Sequence, residues 1–371
     1  MSLTPRSVGQ CARKCPSTPA NVGPTGLVSS VAGTSEPTQA QTAQILDSTY
    51  GHVTVLRHQA VAALEPFPGG IFVDGTFGGG GHSRQVFEVE PQVQRLIAID
   101  ADLDAVARAQ EFVRQLAEPE RFTFVRANFR DLGKVLADLG IESFDGLLLD
   151  LGVSSYQFDL GERGFSFRSD APLDMRFDQT QGDPASVLVN TLPEAELADV
   201  IWRHGDERQS RKIASAIVRA RAMEPVAKTF QLASIVMDAV GGRRGSPIHP
   251  ATRTFQALRI AVNDELGALP DGLAAATDLL APGGRLVVIS FHSLEDRIVK
   301  RFIDMESRTC VCPPSQPVCT CDTVPRLKRV GKPIRPDEAE QRANPRSRSA
   351  IMRVAQRLDA GGVPVNRGHT K

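Results

Sequence analysis

Between residues 71 and 151 the apolar positions fall into short unbroken runs, and a helical period fills the gaps between them. The runs are Ile71 to Asp74, Arg95 to Asp100, Phe122 to Phe129 and Phe144 to Leu151. Continuous apolar runs of only a few residues, bounded by turn signals, predict strands covered on both faces. Asp102 to Leu116 carries its apolar residues at helical spacing and predicts a helix between the second and third strands. Strands alternating with helices predict an α/β fold with a parallel sheet. His52 to Leu64 opens the ordered chain and leads through Pro66 and Pro68 into the first strand.

After Gly152 the pattern changes. Ser154 to Asp183 reads as loop, and within it Arg163-Gly-Phe-Ser-Phe resembles an RNA-recognition strand, which Ser166, Arg168 and Asp170 break. Thr191 with Glu194 spells a capping box, predicting a helix to about His204 that Gly205 ends. Further helices are expected at Gln209 to Met223, Thr229 to Val240 and Pro250 to Leu266. The first of these places Ile213, Ala216, Ile217 and Ala220 on one side and Arg208, Arg211, Lys212 and Arg219 on the other. Ala281-Pro-Gly-Gly-Arg is a turn into a fifth strand, Leu286 to Ser290. Arg326 to Lys332 and Ser349 to Gln356 alternate as a final antiparallel pair. The predicted organisation is a tail over 1–47 and a first α/β part over 48–154. A smaller inserted helical domain follows over 155–250, then a second α/β part over 251–358 and a flexible tail over 359–371.

The chemistry centres on Ile71 to Ser83, I-F-V-D-G-T-F-G-G-G-G-H-S. A strand that breaks into glycines before a helix lets backbone lie against a ligand, with the helix start facing polar groups. Ser83 is expected to cap that helix. Asp100 ends the second strand, near the interval at which nucleotide-binding folds set a carboxylate on ribose hydroxyls, and Asp150 ends the fourth. Both acids belong to the sheet edge where such folds bind ligands.

Charge adds a partner class. The 371 residues balance 43 Lys+Arg against 43 Asp+Glu. Yet Arg297 to the end holds 16 basic against 7 acidic residues, and Ile201 to Ile260 holds 11 against 4. Basic faces on an otherwise acidic chain suit a polyanion. No apolar run is long enough for a membrane span, the N-terminus lacks the core of a secretory signal, and a cytoplasmic enzyme is expected. Met1 to about Asp47 is rich in Ser, Thr, Pro, Gly and Gln and is expected to be disordered. Six cysteines do not make a disulfide framework. Cys310-x-Cys312 and Cys319-x-Cys321 frame a Pro-rich turn that either binds zinc through four thiols or forms a reduced hairpin without metal.

Six stretches together resemble the RsmH family, also called MraW, of S-adenosylmethionine-dependent methyltransferases acting on 16S ribosomal RNA. They are D-G-T-F-G-G-G-G-H-S from Asp74, D-L-G-V-S-S-Y-Q from Asp150, E-R-G-F-S-F from Glu162, H-P-A-T-R-T-F-Q-A-L-R-I-A-V-N-D-E-L from His249, S-F-H-S-L-E-D-R-I-V-K from Ser290 and N-P-R-S-R-S-A from Asn344. The resemblance covers roughly His52 to Leu358. It implies a class I, Rossmann-like methyltransferase sheet with an inserted helical domain. It also implies methylation of the exocyclic N4 of a cytidine in the decoding region. By this resemblance Gly80, Gly81 and His82 contact S-adenosylmethionine, Asp100 holds its ribose, Phe129 flanks its adenine, and Asp150 and Gln157 complete the pocket. Tyr156 stands where the family often has proline. The implied partner is 16S rRNA, in or outside the small ribosomal subunit, and a homodimer is compatible with the resemblance.

Cytosine N4 is a poor nucleophile because its lone pair is delocalised, so an acceptor for an amino hydrogen would help it react. Asp150 is the first candidate; His292 and Ser154 are second candidates, with a structural hydrogen bond as the alternative role of His292. A nicotinamide oxidoreductase would share the strand–glycine–helix–acid plan but would more often show clean G-x-G-x-x-G spacing. A methyltransferase of DNA amines would be expected to carry a D/N/S-P-P-Y/F tetrad, where Asp150-Leu-Gly-Val stands here. A non-enzymatic assembly factor would have no need of Asp100, Asp150 and the glycine loop.

Overall fold

In the computed structural model the described residues are 53–365, except 154–160, 244, 246, 247, 314 and 317. The expected N-terminal tail, Ser154, Tyr156 and Gln157 lie outside them.

The first part of the chain alternates as its hydrophobic pattern predicts. Helix α1 (Arg57–Leu64) leads to β1 (Ile71–Asp74), α2 (Gly81–Val89), β2 (Arg95–Asp100), α3 (Asp104–Arg114), β3 (Phe122–Arg126), α4 (Leu132–Asp138) and β4 (Phe144–Asp150). The helical part holds α5 (Ala185–Thr191), α6 (Glu194–Gly205), α7 (Ser210–Arg221), α8 (Thr229–Val240) and α9 (Thr252–Asn263). Then come α10 (Glu265–Leu279), β5 (Leu280–Ser290), α11 (Ser293–Glu306), β6 (Leu327–Arg329), α12 (Glu338–Ala343) and β7 (Ile351–Arg357). The sheet has seven strands in the order β3-β2-β1-β4-β5-β7-β6. Strands β1 to β5 pair parallel, while β7 runs antiparallel between β5 and β6. That is the class I methyltransferase arrangement.

Alternation along the central strands divides the core in two. Phe72, Leu96, Ala98, Leu148 and Val287 face one side and pack with residues of α1 to α3. Val73, Ile97, Leu147, Leu149 and Val288 face the other and pack with α4, α10 and α11. Successive strand side chains point to opposite faces, so a sheet covered on both sides needs apolar residues at every position. A third cluster, including Phe165, Leu173, Ile201, Ile213, Ile217, Leu232 and Val236, is built by the helical part. Phe255 and Leu258 of α9 belong to this third cluster, so its packing runs past residue 250.

Several local expectations need correction. Thr191 does not cap α6: it ends α5, where its hydroxyl donates back to Val187 O at 2.7 Å, and Pro193 precedes α6. Ser83 does not cap α2 either, because the helix starts at Gly81 and Gly80 takes the capping position. β3 ends at Arg126, and Phe129 starts a 3-10 turn instead of closing the strand. In α7, Ala214 is buried, while Ala216 and Ala220 are only half-buried. Helix α10 runs beyond the helix predicted to Leu266 and contains Gly267, Pro270 and Gly272. It forms regardless, since Ala268, Leu269, Leu273 and Ala276 bury one face against the sheet. Tertiary burial overrides a poor local propensity. Residues 359–365, expected as flexible tail, turn back on the sheet. Asp359 accepts from the amides of Gly361 and Val363, and Gln356 Nε2 donates to Val365 O at 3.0 Å.

Candidate active site

The site is built where β1, β2 and β4 end. From β1 the chain leaves through Gly75 to Gly80, with Gly80 in the left-handed region at φ 76°. A side chain there would also approach the Phe77 ring to 2.8 Å, so the position demands glycine. Two neighbouring strands, β2 and β4, hold this loop. Gly75 N donates to Leu148 O at 2.9 Å, Phe77 N to Ile99 O at 3.0 Å, and Asp150 N to Thr76 Oγ1 at 2.6 Å.

Four carboxylates line this edge. Asp74 is buried; its Oδ2 accepts from Ser83 Oγ at 2.7 Å and its Oδ1 from Thr76 N at 3.3 Å. Burial pushes its carboxyl up to about 6, the neighbouring Asp100 charge adds to the rise, and the bonds from Ser83 and Thr76 oppose it. Asp100 accepts from Gly78 N at 2.7 Å and Asp102 N at 2.8 Å. Burial nonetheless raises its pKa, with the Asp102 charge adding and Arg108 opposing. Asp102 is itself buried and meets Arg163 Nη1 at 2.7 Å.

Asp150 ends β4 in a different state. Its Oδ2 lies 3.8 Å from His82 Nδ1, while its Oδ1 is buried with no hydrogen-bond partner among the described residues. Burial, then the charges of Asp74 and Glu295, raise its pKa well above the ordinary carboxylate value. A buried carboxylate oxygen without a donor is costly, and such a group is poised for a ligand that brings one.

The other predicted residues distribute around this edge. His82 is buried on the first turn of α2, with Nε2 3.2 Å from Val55 O. A side chain at Gly81 would collide with Thr54 Oγ1, so the Thr54–Val55 segment lies directly against the start of α2. Phe129 is half-buried and backed by α10, where a Cβ at Gly272 would come within 2.6 Å of its ring. His292 follows β5, the strand that pairs with β4. It caps α11: Nδ1 accepts from Glu295 N at 3.4 Å, Nε2 is 3.1 Å from Glu295 Oε1, and Glu295 Oε2 accepts from Phe291 N at 2.8 Å. Burial would raise the Glu295 pKa, but His292 and Arg259 hold it below the ordinary range. Both His292 nitrogens thus lie close to Glu295, and Nε2 is buried without a hydrogen-bond partner among the described residues. The four cysteines Cys310, Cys312, Cys319 and Cys321 converge beyond α11, on the connection to β6.

Two residues that sequence reasoning passed over hold the edge together. Arg163 reaches Asp102, Asp104 Oδ2 at 3.2 Å, and the carbonyls of Arg176 and Phe177 at 2.5 and 2.7 Å. Asn263 Oδ1 accepts from Phe177 N at 2.7 Å, and its Nδ2 donates to Met175 O at 2.7 Å. Arg163 fastens the helical part to the sheet edge, and Asn263 ties α9 to the 175–177 segment that Arg163 also holds. Their signal was the motif itself, E-R-G-F and V-N-D-E, without any pattern that foretold the partner. Asn344 of N-P-R-S-R-S-A donates to Val53 O at 2.8 Å and so supports the segment under His82.

Asp74, Asp100 and Asp150 raise or share one another's charge penalty, so the edge favours a cationic ligand. A pyrophosphate-bearing dinucleotide would add negative charge to carboxylates already disfavoured by burial. A sulfonium cofactor instead brings positive charge to these carboxylates.

Sheet order, glycine loop and strand-end acids define a class I methyltransferase. The chain belongs to the MraW methylase family, whose sequence profile matches residues 49–358. It is 51% identical over 314 residues to the ribosomal RNA small subunit methyltransferase H of Thermomicrobium roseum, covering 84% of this chain and 95% of that protein. Proteins of the same name from Heliobacterium modesticaldum and Geotalea uraniireducens are 49% and 50% identical over 83% and 84% of this chain, and 99% and 100% of their own length. No helix among the described residues is long and apolar enough to cross a membrane.

Proposed function

We propose that this chain methylates 16S rRNA in the small ribosomal subunit with S-adenosylmethionine as donor, and that the acceptor is the exocyclic N4 of a cytidine in the decoding region. The donor supplies a methyl carbon already activated by its sulfonium sulfur. The protein's task is then alignment, desolvation and proton handling. Asp100 holds ribose hydroxyls, Gly80, Gly81 and His82 shape the backbone side of the pocket, and Phe129 and Gln157 close it.

The observation that carries the reading is the buried Oδ1 of Asp150 at the tip of β4, unpartnered among the described residues. A cytosine amino group turned out of its stack offers the N–H that this oxygen lacks. Accepting that hydrogen localises the nitrogen lone pair and takes the proton as the bond to carbon forms. Raised basicity suits the role, because a stronger base is a better acceptor. The names of the relatives support rRNA as substrate. Arg208, Arg211, Lys212 and Arg219 are exposed, and Trp202 on α6 is half-exposed, chemistry that suits single-stranded RNA.

The test is methyl transfer from labelled S-adenosylmethionine to 30S particles and to naked 16S rRNA, followed by nucleoside analysis. Label in N4-methylcytidine at one decoding-region position is expected. Label in another base, or none on either substrate, would overturn the reading.

A further inference from the structure

Residues 307–326 connect α11 to β6 and hold no helix or strand among those described. A connection of this length without regular structure is uncommon in a compact domain. Apolar burial does not hold it: Val311, Val318 and Val324 are 57%, 68% and 50% exposed. Its far end is pinned by Arg326, whose Nε donates to Glu306 Oε2 at 2.6 Å. Between these ends, Gln316 contributes bonds to Val318 O and Thr320 Oγ1.

At the centre of this loop are four unbonded cysteine sulfurs. Cys319 Sγ lies 3.4 Å from Cys310 Sγ, 3.5 Å from Cys321 Sγ and 3.9 Å from Cys312 Sγ. All four lie within 4.8 Å of one another. A tetrahedron of thiolates at a Zn–S distance of about 2.3 Å has edges of about 3.8 Å. The observed separations bracket that edge and exceed a disulfide bond by far. Backbone amides of Val311 and Cys312 point at Cys321 and Cys310 sulfurs, at 3.4 Å each, as donors do around metal-bound thiolates.

We propose that Cys310, Cys312, Cys319 and Cys321 bind one Zn²⁺ ion in a closed tetrahedral structural site that folds the 307–326 connection. Each protonated thiol releases its proton to water as its sulfur joins the metal, and no electron is transferred. Four sulfurs leave no open position, so the ion acts on folding and not on the methyl transfer. The cross-link supplies the order that three exposed valines cannot.

The experiment uses the full chain purified under thiol reductant from zinc-supplemented cells. One zinc per chain is expected by elemental analysis. Cobalt added to the metal-stripped chain should give sulfur-to-cobalt charge transfer and the intense visible bands of tetrahedral coordination. The variant C310S/C312S/C319S/C321S should lose both, and protease should cut 307–326 in it and in the stripped wild-type chain. Absence of zinc together with absence of cobalt bands in the wild-type chain would overturn the proposal. So would metal retained by the serine variant, or an intact mass showing two disulfides in the reduced preparation. The cobalt titration is read on the unmodified chain, so a variant that misfolds does not decide the matter.

Discussion

The backbone amide of Asp150 donates to Thr76 Oγ1 at 2.6 Å, pinning the tip of the fourth strand to the loop that leaves the first. The bond sets the carboxylate of Asp150 beside the glycine loop while leaving its Oδ1 unpartnered among the described residues. Strands β1 and β4 meet at the switch point of the sheet, where open α/β folds bind their ligands. Position and chemistry therefore coincide at one residue.

Asp150→Asn keeps shape and the amide bond to Thr76 but removes the acceptor charge. Methyl transfer should fall about 10²-fold or more, within the range of general acid–base groups. Affinities for cofactor and RNA should change much less, because the lost interaction strengthens in the transition state. Single-turnover rates with both substrates saturating decide it; a near-normal rate would reduce Asp150 to a pocket wall.

Asp100→Ala removes the acceptor for ribose hydroxyls and also frees the amides of Gly78 and Asp102. Cofactor binding should weaken by about 1–3 kcal/mol, the range for a buried group left unpaired. Calorimetric titration with S-adenosylmethionine measures it, and an unchanged Kd would remove Asp100 from the pocket.

Asp74 makes the cofactor-free chain sensitive to mild acid in an unusual direction. Its pKa rises from 3.8 to about 6 on folding, so the folded state keeps a proton that the unfolded state has released. Stability from this group is present below pH 3.8 and is lost as pH rises through about 6. At about 1.4 kcal/mol per unit the loss is about 3 kcal/mol, and Asp100 and Asp150 shift in the same sense. Asp74→Asn should flatten the pH dependence between about 4 and 6 by that order, and should ease Asp150 as well, since the Asp74 charge helps raise it. Urea denaturation of both proteins across this range gives the difference; parallel curves would contradict it.

Arg211 and Lys212 are exposed on α7, away from its buried Ile213, Ala214 and Ile217. Arg211→Glu with Lys212→Glu should weaken rRNA binding and lower its salt slope, while cofactor affinity holds. Filter binding at several salt concentrations measures both. RNA affinity indifferent to charge and salt would make these residues ordinary solvated side chains.

Much of this was legible in the chain. Ile97, Leu148 and their neighbours declared the buried parallel strands, because a strand covered on both faces can only be apolar throughout. Asp100 and Asp150 were legible as strand-end acids. Helix α10 was not, since Pro270 and its glycines argue locally against a helix that burial enforces. The capping box was legible only as a pattern: Thr191 and Glu194 fit it and do not form it, whereas His292 and Glu295 form it with a histidine in the serine position. Arg163 escaped because its partners, Asp102 and the carbonyl of Phe177, lie far along the chain or on the backbone.

Arg163 offers the last test. Its side chain is 11% exposed and it meets Asp102, whose side chain is 1% exposed, at 2.7 Å. Removing one member of a buried pair leaves the other charged and unpaired, which typically costs about 3–5 kcal/mol. Arg108 Nη2 at 3.8 Å from Asp102 softens this, so Arg163→Ala should fall near the lower end of that range. Arg163→Lys keeps a charge but lacks the planar fork that serves Asp102 and two carbonyls together, so it should recover part of the loss and no more. Asp102→Asn in the Arg163→Ala background removes the stranded charge and should restore stability relative to the single variant. Urea denaturation of the three variants measures these steps. If Arg163→Ala is as stable as the parent, or if Asp102→Asn adds its own loss on top, the pair does not hold the helical part to the sheet edge.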